Sequence, residues 1–368
     1  MHISTVDLGF MTNALSLSLR SLGNSSPNPC VGCIVVNNNN IVGTGWTQPG
    51  GRPHAETQAL KEAGHLSINS DIYITLEPCS HHGKTSPCVD KIIQAKPKRV
   101  IIGSIDPDPR VNGKGIQKLK KNGIDVLVGV LEKNVQEINE GFFSRLKLNR
   151  PFFSVKIACS ADGKISLSNG KSKWITGDKS RNYSHILRAL YDGIMIGSET
   201  ALKDNPKLNC RLNGIEDYFN PVKIIIDRRL RLEMSSNIAS QAKDIKTYIF
   251  TSNKCDIKKK KNLKDLGVNV KSFDFKNETD FNKQFISYLS SIGINRILVE
   301  GGAYLITNLF KLDFVDKLYL FRSPILLGND SKSFLSDLNF NHLSEVIKMR
   351  KSETITFDDD TLDIYTRN

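Results

Sequence analysis

His54-Ala55-Glu56 is followed in the chain by Pro78-Cys79 and then by Cys88. One imidazole and two thiols are donors that zinc takes in tetrahedral sites, and a catalytic site leaves the fourth position to water. Two thiolates and a neutral imidazole give a formally neutral centre around Zn²⁺, and the ion brings the pKa of its bound water down towards neutrality. Glu56, two residues from His54, suits a proton shuttle between that water and a leaving amine. The order H-x-E, P-C, C therefore points to hydrolysis of an exocyclic amine. Eight residues separate the two cysteines, in place of the two of the compact P-C-x-x-C form.

Other residues compete for attention. Cys30 and Cys33 form a C-x-x-C, but Cys33 enters an apolar run and no second pair of that kind follows, so core packing is expected. His81 and His82 rival His54 as donors, although a substrate-contacting or loop role fits them better. Gly83-Lys84-Thr85 has the ending of a phosphate-binding loop, but Pro78 stands where that motif requires glycine.

In the second half, RILVEGGAYLITNLF sets a strand before Glu300-Gly301-Gly302 and a helix after it. Glycines there allow a phosphate to approach the N–H groups of a helix N-terminus. No G-x-G-x-x-G occurs in this half. Arg188 and Arg211 carry planar guanidinium forks suited to a phosphate. Arg228-Arg229 follow Asp227 at a strand end, where cations favour a 2′-phosphate and a carboxylate favours a 2′-hydroxyl. The two cations outweigh the one anion.

These residues need elements to position them. VGCIVV (31–36) and IVGTGW (41–46) read as a hairpin about an Asn-rich turn, HAETQALKEAG (54–64) as a helix, and DIYITLEP (71–78) as a strand. A helix around 87–95, strand RVIIGS (99–104), helix GIQKLKKNG (115–123) and strand IDVLVG (124–129) follow, giving a layered α/β sandwich. NRP at 149–151 is the expected boundary, dividing the chain into 1–149 and 150–368. Beyond it FFSVKIA, GIMIGS, VKIIID, KTYIF and RILVE read as buried strands, with helices over 179–190 and 280–292, making a second α/β domain.

The 368 residues, 39% hydrophobic and 24% charged, describe a globular protein and exclude a wholly disordered chain. No apolar run reaches the ~20 residues of a membrane span. The N-terminus reads as an amphipathic helix in place of a signal peptide. Seven scattered cysteines form no disulfide framework, so a reducing cytoplasm is expected. The net charge of +13 falls mostly after residue 149 and is largely compositional, as NNNN and KKKK show.

Taken together, SPNPCVGCIVV, HAE, TLEPCSHHGKTSPC and DPDPRVNGKG (106–115) resemble the deaminase half of the bifunctional RibD family of riboflavin biosynthesis. SADGKIS, GKSKWIT, DNPKLNCR and the Glu300-Gly301-Gly302 turn resemble its reductase half. The resemblance implies a cytidine-deaminase-like α/β/α sandwich followed by a dihydrofolate-reductase-like α/β domain. It implies removal of the 2-amino group of 2,5-diamino-6-(5-phosphoribosylamino)pyrimidin-4(3H)-one, then NADPH-dependent reduction of ribosyl to ribityl. Zn²⁺ would sit on His54, Cys79 and Cys88, with Glu56 catalytic. Ala158, Trp174, Thr200, Asp204, Arg228, Gly302, Ala303, Tyr304, Leu305, Ile306, Thr307 and Asn308 would face NADPH. Ser172, Arg188, Leu208, Arg211 and Glu300 would face the substrate. The expected partners are this phosphorylated pyrimidine and further copies of the chain as a homo-oligomer, with no nucleic acid and no membrane. The alternative is a tRNA or single-stranded DNA zinc deaminase with an accessory domain; little aromatic interleaving in the basic stretches argues against it.

Overall fold

The computed structural model describes residues 3–83, 86–212, 220–274 and 276–367. Lys84 and Thr85 of the loop-like Gly83-Lys84-Thr85 lie outside the described residues. The chain divides into two compact units, Met1–Arg150 and Pro151–Asn368. No helix among the described residues is long and apolar enough to cross a membrane.

In the first unit α1 (Thr5–Ser18) leads into β1 (Gly32–Asn37) and β2 (Asn40–Trp46), then α2 (Ala55–Ala63) and β3 (Asp71–Leu76). There follow α3 (Cys88–Ala95), β4 (Arg99–Ser104), α4 (Lys114–Lys121), β5 (Asp125–Val128), α5 (Glu132–Ile138) and α6 (Glu140–Leu148). The β1–β2 turn needs left-handed backbone, and Asn38 and Asn39 supply it at φ 48° and 62°. The sheet order is β2-β1-β3-β4-β5, with β1 antiparallel to both neighbours and β3, β4 and β5 parallel. Alternation along the strands makes two cores. Cys33, Val35, Ile72, Ile74 and Ile102 face α2, α3 and α4, whereas Ile34, Val36, Tyr73 and Ile101 face Met11 and Ala14 of α1. The result is a three-layered α/β/α sandwich.

The second unit runs β6 (Phe152–Ser160), β7 (Lys164–Ser166), α7 (Asp178–Ala189), β8 (Gly193–Gly197), α8 (Ser198–Asp204) and β9 (Val222–Ile226). It continues with α9 (Asn237–Ser240), β10 (Thr247–Ser252), α10 (Ile257–Asp265), β11 (Asn269–Phe273), α11 (Glu278–Ser291) and β12 (Arg296–Val299). It ends with α12 (Ala303–Lys311), β13 (Val315–Ser323), β14 (Lys332–Ser333), β15 (Met349–Phe357) and β16 (Asp360–Arg367). Nine strands form one sheet in the order β11-β10-β9-β8-β12-β6-β13-β16-β15. All neighbours are parallel up to β13, and β16 and β15 add on antiparallel. Both faces of the central strands are covered: Met195, Ile224 and Phe250 pack under α11 and α12, while Ile194, Ile225 and Ile249 pack under α8, α9 and α10. Strands buried on both faces read as continuous apolar runs, which is why five of them show in the sequence. The other four do not. Along β15 the residues are mostly exposed and polar, and β13 interleaves charged residues with its apolar ones.

Candidate active sites

The first site forms at the carboxyl ends of the parallel strands, where open α/β sheets hold their ligands. His54 is the N-cap residue of α2, and Cys88 is the first residue of α3. Helix α2 is held close by small residues. Ala55, Ala59 and Ala63 are buried, and a Cβ on Gly45 or Gly43 would come within 2.1 Å of the carbonyl oxygens of Ala55 or Ala59. Gln58 and Glu62 on the same helix accept the N–H groups of Trp46 and Thr44 at 3.1 and 2.7 Å, tying α2 to the sheet edge.

The donor atoms of His54, Cys79 and Cys88 all lie within 4.8 Å of one another, the one such cluster among the described residues. His54 Nδ1 is 3.3 Å from Cys88 Sγ and 3.7 Å from Cys79 Sγ. A tetrahedral zinc with ordinary bond lengths spaces nitrogen and sulfur donors about 3.6 Å apart, so the cluster fits this ion. The Cys79 thiol is held down to about 4 by the hydrogen bond from Cys88, with His54 helping, and the Cys88 thiol is correspondingly pushed up. The Cys88 N–H at the start of α3 also donates to Cys79 Sγ at 3.3 Å. Glu56 is buried, at 3% exposure. Burial pushes its carboxyl up from the ordinary range, against the opposing charge of His54, and the side chain bonds to Cys88.

A cavity of about 220 Å³ opens beside these groups, lined by Asn28, Arg52, Glu56, His81, Phe142 and Arg145 among others. His81 lines it with a buried Nδ1 that has no partner among the described residues, while His82 is exposed. Cys33 is fully buried in β1, and neither it nor Cys30 joins the cluster. Glu77 was not singled out from sequence. Its carboxylate accepts the N–H groups of Gly113, Ile116 and Asp106 at 2.8, 3.2 and 3.4 Å, fixing the 106–115 loop over the cavity.

The second site spreads over many elements. A cavity of about 430 Å³ is lined by Ala158, Ser172, Trp174, Thr200, Asp204, Glu300, Gly302, Ala303 and Ile306, all singled out from sequence. A larger one, about 860 Å³, is lined by Arg228, Tyr304, Leu305 and Asn308. Gly302 and Glu199 border both, so a ligand long enough to reach both passes over the N-terminus of α12. Gly302 has a φ of 84°, and a Cβ on Gly301 would meet the Thr200 side chain at 2.9 Å. Only glycine leaves that cradle open. Elongated cavities, a helix N-terminus and the cations Arg228, Arg229, Arg231 and Lys254 fit a phosphorylated dinucleotide. Trp174 is 69% exposed, with the Arg181 guanidinium 4.5 Å over its ring.

Four of the residues that the resemblance assigns to a ligand line neither cavity. Thr307 is buried and lines neither cavity: its hydroxyl donates to the Ala303 carbonyl at 2.7 Å and accepts the Ser336 N–H at 2.8 Å. The Leu208 side chain packs into the core with Ile194 and Ile225. Arg211 is exposed and lines neither cavity, and its N–H donates to His185 Nδ1 at 3.3 Å. The Arg188 fork is occupied. Its Nε and Nη2 donate to the Glu300 carboxylate at 2.6 Å each, and Nη1 donates to the Asn209 carbonyl at 2.9 Å. Burial alone pushes the Glu300 carboxyl up, but Arg188 and then Lys156 pull it down to about 2. Lys156 lines the smaller cavity, and burial pushes its amine down against the attraction of Glu300. A lysine inside the apolar run FFSVKIA was the available signal for it.

A metal-held hydrolytic centre on one sandwich and a dinucleotide-sized groove on a second sheet define a two-domain deaminase and reductase. Comparison with known proteins agrees. Residues 4–104 match the cytidine and deoxycytidylate deaminase zinc-binding region, and residues 151–362 match the RibD C-terminal domain. The riboflavin biosynthesis protein RibD of Aquifex aeolicus is 36% identical over 99% of both chains, and that of Escherichia coli is 32% identical over 94% of this chain and 95% of its own. A structure of Acinetobacter baumannii RibD superposes with a TM-score of 0.89 at 30% identity, covering 99% of each chain. The diaminohydroxyphosphoribosylaminopyrimidine deaminase/5-amino-6-(5-phosphoribosylamino)uracil reductase of Thermotoga maritima superposes with a TM-score of 0.85 at 32% identity, again over 99% of each. The chain belongs to the RibD family: it is a bifunctional deaminase and reductase of riboflavin biosynthesis, with a deaminase zinc-binding region followed by a RibD C-terminal reductase domain.

Proposed function

We propose that residues 1–149 hydrolyse the 2-amino group of 2,5-diamino-6-(5-phosphoribosylamino)pyrimidin-4(3H)-one and that residues 150–368 then reduce its ribosyl group to ribityl with NADPH. The observation that carries the first half is the His54, Cys79 and Cys88 cluster with the buried Glu56 beside it. His54, Cys79 and Cys88 hold zinc, which when bound supplies a Lewis acid that makes a water acidic near neutral pH. Glu56 takes a proton from the attacking water at its carboxylate and returns it to the departing amine. A carboxyl pushed up by burial holds a proton more readily than a free one, which suits both tasks. Asn28, Arg52 and Phe142 line the space the pyrimidine would fill.

In the reductase half, NADPH when bound would supply the hydride for the ribose C1′. The smaller cavity would hold the nicotinamide and the sugar, and the larger the adenosine. Gly301 and Gly302 let the diphosphate approach the start of α12. Arg188 keeps Glu300 ionised and oriented, and so serves as a positioning residue in place of a phosphate fork. Lys156 holds a proton at Nζ for the ring oxygen released as the sugar opens. Arg211, exposed outside the two cavities, is kept as the contact to the substrate phosphate.

Seven cysteines, with no disulfide among the described residues, support placement in a reducing cytoplasm. The partners are the small phosphorylated pyrimidine and other copies of the chain, with no nucleic acid. Relatives matching over the full length favour this substrate over a nucleic-acid one. Incubating the protein with the phosphorylated diaminopyrimidinone, followed by mass spectrometry, tests the reading. The deaminated product is expected without NADPH and the ribityl product with it; turnover of single-stranded DNA or tRNA in place of this substrate overturns it.

A further inference from the structure

The larger cavity of the second unit carries opposed charges. Arg228, Arg229, Arg231 and Lys254 line it together with Glu199, Asp227, Asp256 and Glu278. Three of the four carboxylates are held by partners outside the set assigned to the dinucleotide. Glu199 pairs with Arg231 at 2.7 Å, Asp227 accepts the Leu232 N–H at 2.8 Å, and Asp256 caps α10 through the Lys259 N–H at 3.0 Å. Glu278 differs. It opens α11, yet its carboxylate reaches α12 and the end of β9. Oε1 accepts from Asn308 Nδ2 at 2.8 Å and Oε2 accepts from the Tyr304 hydroxyl at 2.7 Å. Arg228 Nη1 lies 3.5 Å from Oε1, and Arg228 Nη2 donates to the Tyr304 hydroxyl at 3.3 Å. Three residues assigned to the dinucleotide thus converge on one anion.

A carboxylate in that place satisfies Arg228 as a phosphate would. The side chains of Arg228 and Glu278 are 36% and 34% exposed, so a stronger anion entering from solvent can open the pair with little loss. Arg229 and Lys254 have no ion pair among the described residues and stand ready for a second negative charge. We propose that Glu278 is a specificity-determining residue, a resident anion that competes with the cofactor's 2′-phosphate for Arg228. It thereby sets how far the cavity prefers a 2′-phosphorylated dinucleotide over an unphosphorylated one. The proposal rests on the reading that this cavity takes the adenosine half.

Glu278→Gln removes the charge and keeps the shape. The amide oxygen still accepts from Asn308, while the Tyr304 hydroxyl loses its carboxylate acceptor, turns its proton to solvent and accepts from the amide N–H. Calorimetric titration of the full-length protein with adenosine 2′,5′-bisphosphate and, separately, with 5′-AMP tests the idea. Glu278→Gln is expected to tighten the bisphosphate about fivefold, the scale of an exposed ion pair, and to move AMP by less than about twofold. Raising the salt concentration shrinks the gain, and in an Arg228→Ala background it disappears. Glu278→Ala, which deletes the hydrogen bonds as well, still tightens the bisphosphate relative to AMP. Unchanged bisphosphate binding, or an equal change for both probes, overturns the proposal. Binding of neither probe to the wild-type protein overturns the reading of the cavity itself, and the proposal with it.

Discussion

The two sites place their chemistry differently along the chain. The metal site takes its donors from two helix starts and one strand end, all between His54 and Cys88. The reductase site gathers residues from β6 to α12, and its key ion pair joins positions 112 apart. Metal chemistry is written in residue types at short spacing, because few side chains ligate zinc and the fold must bring them to one point. Dinucleotide binding is written in backbone approach and in which charges already have partners, and neither is visible in a string of letters.

That contrast is sharpest where one donor is removed. Cys79→Ser should abolish stoichiometric zinc binding and deamination while leaving reduction of the deaminated intermediate intact. Metal analysis and separate assays of the two half-reactions check it, and full zinc content in the variant would break the assignment. The reductase site should instead fail through stability. The Glu300 carboxyl sits at about 2 in the folded chain against an ordinary value of 4.5. The pair therefore contributes stability that is complete above pH 4.5 and lost as pH falls towards 2. Glu300→Gln leaves Arg188 buried without its carboxylate, a loss of about 3–5 kcal/mol at neutral pH. Its melting temperature should lie below the wild type's at pH 7 and converge with it on acidification; a gap constant with pH would contradict this.

A smaller effect is expected at the glycine turn. The Cβ of Gly301→Ala would meet Thr200 at 2.9 Å, and overpacking of about 1–3 kcal/mol should weaken NADPH binding roughly tenfold. Deamination should be untouched, so a parallel loss in both half-reactions would mean the turn supports the whole fold. The smallest change belongs to Arg211. Arg211→Ala should raise KM for the phosphorylated substrate about fivefold, as fits an exposed charge, and leave a dephosphorylated analogue unaffected. Equal losses with both ligands would remove Arg211 from phosphate recognition.

Much of the first unit was legible. The hairpin, α2 and the strand that leads into Pro78-Cys79 follow from their apolar runs, from the Asn-rich turn and from the glycine that ends α2, and the zinc donors follow from type and order. Helices α5 and α6 were not read. In the second unit the doubly covered strands stand out, but β11, β13, β15 and β16 do not, because the edge strand β15 is exposed and polar and the others interleave polar or charged residues with their apolar ones. The types of Arg188 and Glu300 were recognised, whereas their mutual pairing was not: only the parallel alignment of β12 beside β8 and the return of α7 bring them together. Lys156 escaped for a related reason, since its apolar neighbours outweighed the one charged residue among them. Thr307 was counted with the turn it follows, and helical periodicity carries its side chain inward.

Glu56 bears the most direct test of the claim that the first unit is a zinc deaminase with a carboxylate moving the proton. Glu56→Gln preserves shape and removes the titrating group. The protein should keep a full equivalent of zinc, deaminate the diaminopyrimidinone at least about 100-fold more slowly, and reduce the deaminated intermediate at the wild-type rate. Deamination within about a factor of three of wild type, with zinc bound, would contradict the account.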